Sequence, residues 1–454
     1  MARSYEMDLS SGPLLGKIVR FAVPLLLSGV LQLLFNAADV VVVGRFTGPQ
    51  ALAAVGSTTS LINLLVNLFI GVSVGANVLT ARNYGAKNWK ALHDTVHTAI
   101  LTAMLCGCAM IFVGGALAEP ILRMMGTPED VLPHSVLYMR IYFMGMPFFI
   151  TYNFGAAVLR AVGDTRRPLY FLTLAGVVNV ALNLALVILF DMGVAGVAIA
   201  TVTSQGISAA LVLICLHGST GPYRLVWRDL RIDPATLRSM LRIGVPAGLQ
   251  GTVINFSNVL IQSSVNSFGS LAMAGYTASC NIDGFIYIVS NSVTQTALSF
   301  AGQNMGAGNY RRVEKAIGEC VLLSGLLGAS CGAAVYLLRE TLIGIYSPDP
   351  EVIAFGVIKF VVAWPFYFLA AIMDTLPGGL RGMGCSLAPT LISITGVCLF
   401  RVVWIFGVFP VWHSLESLYF SYPVSWALTV AMQAACYFIV RKKLLRPAQP
   451  SPAL

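Results

Sequence analysis

Long apolar stretches alternate with short polar connections along the whole chain. Each stretch has about 20 residues or more, which is enough for a helix to cross a hydrocarbon core about 30 Å thick. Lipid cannot hydrogen-bond to the backbone, and the stretches lack the alternating polarity of barrel strands, so we expect helices. The stretches lie at about 18–43, 52–80, 95–118, 136–158, 168–190, 194–217, 243–267, 273–301, 316–338, 352–377, 387–410 and 418–440. The pattern predicts an all-α integral membrane protein with twelve transmembrane helices.

Lysine and arginine are distributed unequally between alternate loops. Of the 28 such residues, 22 fall on the face that carries both termini, three fall on the other face (Arg45, Arg123, Arg339) and three lie inside spans (Arg140, Lys359, Arg401). Because Lys- and Arg-rich loops stay in the cytoplasm, both termini are predicted to be cytoplasmic, in the cell (inner) membrane. The formal charge of +9 then follows from topology and does not indicate a nucleic-acid partner.

Composition narrows the class further. The 454 residues are 57% apolar and only 10% charged, against about 25% charged in soluble domains, which excludes a soluble globular protein and a disordered chain. The nine cysteines form no CxxC pair, so neither a disulfide framework nor a metal site is expected. No GxxxxGK[ST] loop for ATP and no catalytic cluster is evident, so we expect a protein that is not an enzyme and has no cofactor.

The two halves of the sequence repeat each other. RFAVPLLLSGVLQLLFNAADVVVVGRF (Arg20 to Phe46) aligns with RIGVPAGLQGTVINFSNVLIQSSVNSF (Arg242 to Phe268), and LRAVGDTRRP (Leu159 to Pro168) aligns with LRGMGCSLAP (Leu380 to Pro389). Because each half has six spans, an even number, both halves have the same orientation in the membrane. This arrangement is typical of carriers with two pseudo-symmetric six-helix lobes.

The repeat also defines the predicted domain limits. We expect an N-lobe at 1–217 with spans 1 to 6, a basic cytoplasmic linker at 218–242, a C-lobe at 243–440 with spans 7 to 12, and a cytoplasmic tail at 441–454. The predicted partners are the lipid bilayer and a small organic substrate, and the predicted state is a monomer.

Together these motifs resemble the multidrug and toxic compound extrusion (MATE) family, most closely its prokaryotic branch. The resemblance rests on NAADVVVVGRF (Asn36 to Phe46), on GAKNWK after the second span, and on LRAVGDTRRP with its partner LRGMGCSLAP. It implies a secondary antiporter that exports amphipathic, often cationic organic compounds in exchange for H⁺ or Na⁺ by alternating access between two lobes.

Asp39 is the principal candidate for coupling in the first half. It lies in an otherwise apolar span one turn after Asn36, and it matches the aspartate that the resemblance implicates in cation or proton coupling. A carboxylate in a membrane span is costly and therefore a functional hypothesis by default. Asn179 and Asn183 of NVALN, and Asn153 in the fourth span, are further candidates, although such amides also serve as interhelical contacts.

Two acids are the corresponding candidates in the second half. Asp374 matches the tenth-helix aspartate of Na⁺-coupled relatives, but the seventh span lacks the glutamate of that site, which puts an intact Na⁺ site of that type in doubt. Asp283 in the eighth span is a substitute oxygen ligand.

Candidates for the substrate cleft or a gate are the remaining polar and aromatic residues of the spans: Arg401, Asn255, Asn258, Gln262, Tyr152 and Trp364. Arg401 reaches a depth comparable with that of Asp39, so it pairs with Asp39 or with Asp374, or it holds carbonyl groups of its own lobe.

Two alternatives stay open at this point. One is a flippase of the same superfamily for lipid-linked substrates, which would need a strongly cationic cavity. The other is an integral-membrane enzyme, for which no cluster of catalytic side chains is visible.

Overall fold

The computed structural model describes residues 5–444, and this range is helical with no strand in it. Sixteen α-helices follow one another: α1 (Leu14–Phe46), α2 (Pro49–Gly85), α3 (Trp89–Met124), α4 (Leu132–Met144), α5 (Met146–Ala161), α6 (Arg166–Leu184), α7 (Gly193–His217), α8 (Pro234–Asn266), α9 (Ser270–Gly306), α10 (Tyr310–Leu337), α11 (Arg339–Gly344), α12 (Pro350–Ala363), α13 (Tyr367–Gly382), α14 (Leu387–Ser393), α15 (Phe400–Gly407) and α16 (Leu415–Leu444). Short π-helical segments continue α6 and join α14 to α15.

The predicted all-α class and the count of twelve spans are confirmed. Within residues 5–444, nine helical segments are long and apolar enough to cross a membrane, and α4 with α5 forms a tenth that is bent by 46°. The other two spans are α8 and α9, which have 33 and 37 residues. They are long enough to cross but more polar than the rest, because each carries several amide and hydroxyl side chains.

The sequence repeat recurs in the backbone. Both limits of α2 (Pro49–Gly85) and α9 (Ser270–Gly306) are 221 residues apart. At the same separation Gly163 and Gly384 have φ of 96° and 90°, a conformation that side chains with a Cβ rarely adopt. The two halves therefore repeat turns as well as helices.

Breaks at matching positions shape the fourth and tenth spans. Gly145 separates α4 from α5, and a 3₁₀ turn at Trp364–Phe366 separates α12 from α13. Each break has a proline, Pro147 and Pro365, which has no N–H to donate to the preceding turn. The breaks place candidate residues of α5 and α13 on short helices that begin inside the span.

The chain folds into two compact units. Unit 1 combines the described residues up to Asp8 with Val23–Gly248, and unit 2 combines Leu9–Ala22 with Leu249 onward. Unit 1 has a core of buried apolar residues that includes Phe143 and Phe154. The core of unit 2 includes Phe360 and Tyr419.

Two glycines allow α2 to approach the first half of α8 inside unit 1. A Cβ at Gly71 would overlap the backbone of Gly248, and one at Gly75 would overlap the carbonyl of Met240. We expect Gly75→Val to abolish folding of the purified protein, because the obstacle is backbone that has no room to move. Gly115→Val on α3 is the matched control, since its added Cβ meets open space. Monodispersity in detergent measures the outcome, and a monodisperse Gly75→Val variant would contradict the packing argument.

Asp164 caps α6 from the preceding loop. Its Oδ1 accepts hydrogen bonds from the backbone N–H groups of Arg166 and Arg167, both at 3.1 Å, and its side chain is fully buried. Burial raises the pKa of this carboxyl, against the opposing effect of the two N–H groups and the Arg167 guanidinium.

Replacing Asp164 tests the cap. Asp164→Ala is expected to lose about 1 kcal/mol of stability, because the two N–H groups lose their acceptor. Asp164→Asn keeps an acceptor oxygen for the two N–H groups but removes the ion pair with Arg167 at 3.3 Å, so its melting temperature in detergent should lie between those of the alanine variant and the wild type. Equal melting of the alanine and wild-type proteins would show that the cap contributes nothing.

Candidate functional site

Asp39 of α1 contacts the Asn183 amide of α6 within unit 1, and Asn183 in turn contacts Asn179. The Asn183 amide donates a hydrogen bond to Asp39 Oδ1, and Asn183 Nδ2 also lies 3.4 Å from Asn179 Oδ1. Asn183 is fully buried and Asn179 is 5% exposed, whereas Asp39 is half-buried. Within residues 5–444, no basic side chain lies within 4.0 Å of the Asp39 carboxylate. The acid is therefore held by the Asn183 amide and is not neutralised by an arginine or lysine of the described residues.

The oxygen atoms around Asp39 suit a small cation. Asn183 Oδ1 is buried and has no hydrogen-bond donor among the described residues. A carboxylate with amide oxygens beside it is a donor set that hard cations prefer, and the carboxylate alone can take a proton. The cluster thus offers oxygen atoms of the type that bind a proton or a small cation.

Three other candidates of the first half do not join this cluster. Asn36 is exposed one turn before Asp39. Asn153 donates to the carbonyl of Phe149 on its own helix at 2.8 Å, and Tyr152 OH donates to the carbonyl of Pro168 at 3.1 Å. The structure therefore brings together Asp39, Asn183 and Asn179, and it places Asn153 and Tyr152 elsewhere.

Sequence reasoning missed two tyrosines beside the cluster. Tyr138 and Tyr142, one turn apart on α4, stack at 6.2 Å between ring centroids, and both lie within electrostatic range of Asp39. Their spacing on one helix face was visible in the sequence, but the neighbour of that face was not.

Asp374 lies on α13 in unit 2. Among the described residues, its carboxylate forms no ion pair and no hydrogen bond. The charged group that interacts with it electrostatically is the guanidinium of Arg381, two turns later on α13. Arg381 donates to Gln250 Oε1 at 2.6 Å. Asp374 is thus a half-buried acid in a span, without the companion carboxylate of the Na⁺ site that the resemblance suggested.

Asp283 is already engaged by a lysine that the sequence analysis left without a role. Lys359 Nζ lies 2.7 Å from Asp283 Oδ2, and Tyr367 OH donates to Asp283 Oδ1 at 2.5 Å. The lysine also contacts Cys280 Sγ at 3.2 Å. An incoming cation would therefore have to displace an ammonium group from Asp283.

Arg401 is held by groups of unit 2. Its Nε donates to Ser425 Oγ at 3.3 Å and its Nη1 donates to Asn258 Oδ1 at 3.1 Å, while its guanidinium lies 4.2 Å from the centroid of the Tyr422 ring. Asn258 is exposed on α8, as are Asn255 and Gln262. An exposed row of amides on a membrane helix indicates a wet surface, because amides in contact with lipid tails are costly.

Trp364 lies in the 3₁₀ turn between α12 and α13. Its ring stacks on Tyr336 with 4.7 Å between ring centroids, and it is half-buried. The contact is a packing contact between neighbouring helices of unit 2.

These features define a duplicated, two-lobed helical carrier with ionisable groups inside its spans. The MatE family model matches residues 24–185 and 246–406. The chain therefore belongs to the MatE family of transporters, and the predicted resemblance and the expectation of a protein without enzymatic activity are both confirmed.

Relatives and solved structures agree with this family. The probable multidrug resistance protein YoeA of Bacillus subtilis is 31% identical over 432 residues, 93% of each chain. The FAD transporter of Shewanella oneidensis is 25% identical over 357 residues, 76% of this chain and 77% of the relative. A crystal structure of MATE in complex with MaL6 has a TM-score of 0.91 at 18% identity and covers 98% of this chain and 100% of the other, which shows the same fold.

Proposed function

We propose that this transporter exports amphipathic, often cationic organic compounds in exchange for H⁺ or Na⁺, with Asp39 as the principal coupling residue. The observation that carries the proposal is the half-buried Asp39 carboxylate on α1. It is bonded to the Asn183 amide and has no basic partner within 4.0 Å in the described part of the chain.

Competition between the ion and the substrate for one carboxylate couples their movements. A proton, a sodium ion or a cationic group of the substrate can each neutralise the Asp39 carboxylate. They cannot do so together, because the carboxylate carries only one negative charge. Occupation by the inward ion therefore requires release of the outward substrate. Asn183 and Asn179 orient the carboxylate, and Asp374 is the corresponding acid of unit 2.

The proposed orientation has both termini in the cytoplasm of the cell (inner) membrane. It rests on the 22 Lys and Arg residues of one face against three of the other. In this orientation the linker and the tail are cytoplasmic. The proposed working state is the monomer, because each chain carries both halves of the repeat.

The substrate class is supported by the names of relatives, among them a probable multidrug resistance protein. One relative is named an FAD transporter, so cargo with anionic groups is named in the family as well. A flippase for lipid-linked substrates is not favoured by these comparisons.

Reconstitution with separately imposed gradients tests the proposal. We expect purified protein in liposomes to accumulate the cationic dye rhodamine 123 against its gradient when either a pH gradient or a Na⁺ gradient is applied. The effective gradient identifies the coupling ion. Dye movement that responds to neither gradient in active, oriented protein would contradict ion-coupled export.

A further inference from the structure

Two cationic side chains are buried beside the same tyrosine in unit 2. Lys359 and Arg401 are each 3% exposed. The Lys359 ammonium lies 5.5 Å from the centroid of the Tyr422 ring and 4.8 Å from that of Tyr276, and the Arg401 guanidinium lies 4.2 Å from the Tyr422 centroid. All three contacts are short enough for cation–π attraction, which stabilises the charges but does not neutralise them.

Lys359, Arg401, Asp283, Tyr276 and Tyr422 form a cluster that has two positive charges and only one negative charge. Asp283 balances Lys359 at 2.7 Å, whereas Arg401 has only neutral partners, namely Ser425, Asn258 and the Tyr422 ring. No carboxylate of residues 5–444 lies within 4.0 Å of Arg401. A buried charge without a counter-ion costs several kcal/mol, so an anion from outside the chain would stabilise this arrangement.

The guanidinium also retains a free edge. Arg401 Nη2 forms no hydrogen bond with the described residues, and Nη1 is bonded to the amide oxygen of Asn258, an exposed residue on α8. A carboxylate that replaced this amide oxygen would accept from Nη1 and Nη2 together, in the bidentate geometry that arginine favours. The Tyr276 and Tyr422 rings supply an apolar wall beside it.

We propose that Arg401, assisted by Lys359, binds the carboxylate group of an amphipathic organic substrate. This inference rests on the proposed export function and specifies one part of its substrate class. It assigns to unit 2 a site for negative charge, in addition to the acid that unit 1 offers to positive charge. The site thus fits amphiphiles that carry a free carboxylate.

Asp283 has a competing role in this arrangement. Its carboxylate pairs with Lys359, so Lys359 binds a substrate carboxylate less strongly than an unpaired lysine would. Removal of the Asp283 charge should therefore strengthen the binding of anionic groups, although the same change removes a buried ion pair. A purely structural role for the cluster predicts weaker binding of every ligand after either substitution.

A matched pair of dyes tests the site. Rhodamine 123 is the methyl ester of rhodamine 110, so the two differ only in whether the carboxylate is free. We measure the binding of each dye to purified protein in phosphatidylcholine nanodiscs by fluorescence anisotropy. Arg401→Gln should weaken rhodamine 110 binding by about tenfold or more, since it removes a charge-assisted hydrogen-bond pair, and should leave rhodamine 123 binding within about twofold. Asp283→Asn should tighten rhodamine 110 binding severalfold.

Two controls separate this proposal from folding and from net charge. Arg339→Gln removes one positive charge from unit 2 at a residue bonded to the Tyr336 carbonyl, outside the cluster, and should change neither affinity. Arg401→Lys keeps the positive charge but lacks the paired N–H donors of the guanidinium, so it should bind rhodamine 110 with intermediate affinity. Intact rhodamine 123 binding shows that each variant is folded.

The outcomes are distinguishable. The carboxylate site would be overturned if Arg401→Gln lost the same amount of affinity for both dyes, or if Asp283→Asn bound rhodamine 110 more weakly. Displacement of rhodamine 110 when phosphatidylglycerol is added to the nanodiscs would assign the cluster to a lipid phosphate and would also overturn it. Failure of the proposed export function is seen separately, as absence of gradient-driven rhodamine 123 transport by the wild type in liposomes.

Discussion

Replacing Asp39 with asparagine is expected to abolish ion-driven accumulation of substrate. In a one-for-one exchange, an imposed coupling-ion gradient of about 50-fold provides about 2.3 kcal/mol, enough for about 50-fold accumulation of the dye, and we expect this ratio to fall to about one in the variant. The reason is that asparagine neither binds a proton nor supplies a charged ligand. The hydrogen bond from Asn183 is kept in the variant through the side-chain oxygen of asparagine. Rhodamine 123 accumulation in liposomes under the effective gradient is the measurement.

A matched control distinguishes coupling from general damage. Asp191→Asn makes the same chemical change at an exposed loop residue with φ of 50°, a conformation that asparagine tolerates. It should transport as the wild type does. Wild-type accumulation by Asp39→Asn would remove Asp39 from the coupling mechanism.

Breaking the Asp283–Lys359 pair is expected to cause a large loss of stability. Lys359 is almost fully buried, with its side chain 4% exposed against 28% for Asp283. Lys359→Met leaves the acid without its cation, and removal of one member of a buried pair costs about 3 kcal/mol or more. Asp283→Asn leaves a buried ammonium and should also be destabilising. Thermal unfolding in detergent measures both.

The double variant Asp283→Asn/Lys359→Met tests whether charge is the cause. It removes both charges and should recover most of the stability that each single variant loses. Glu314→Gln, which breaks the more exposed pair with Arg441, should cost less than about 1 kcal/mol. Additive losses in the double variant would show that the two side chains contribute independently.

The number of spans was predictable because hydropathy and loop charge report independently on the same topology. An error of one span would have reversed the charge pattern of every later loop. The repeat was also predictable, because the aligned segments share glycines at the turns. Gly163 and Gly384 lie at matching positions, and both turns need a positive φ. In contrast, α8 and α9 show that hydropathy alone undercounts spans that carry many amides.

The pairing of charges could not be predicted from the sequence. Lys359 was visible as a cation inside a span, but its contact with Asp283 depends on the rotation of α12 against α9, which a one-dimensional pattern does not contain. The same holds for Tyr138 and Tyr142 beside Asp39. Asn183 was named as a candidate, but its contact with Asp39 was not predicted. Asn153 was selected from the repeat and bonds to its own helix.

The central claim is that one carboxylate, Asp39, exchanges an inward ion for outward substrate. Ion movement driven by the substrate alone tests it most directly. Liposomes without an ion gradient receive a rhodamine 123 gradient, and internal pH or Na⁺ is followed with an entrapped indicator. We predict that the wild type moves the coupling ion opposite to the dye, and that Asp39→Asn moves none. Ion movement of wild-type size in Asp39→Asn would contradict the account.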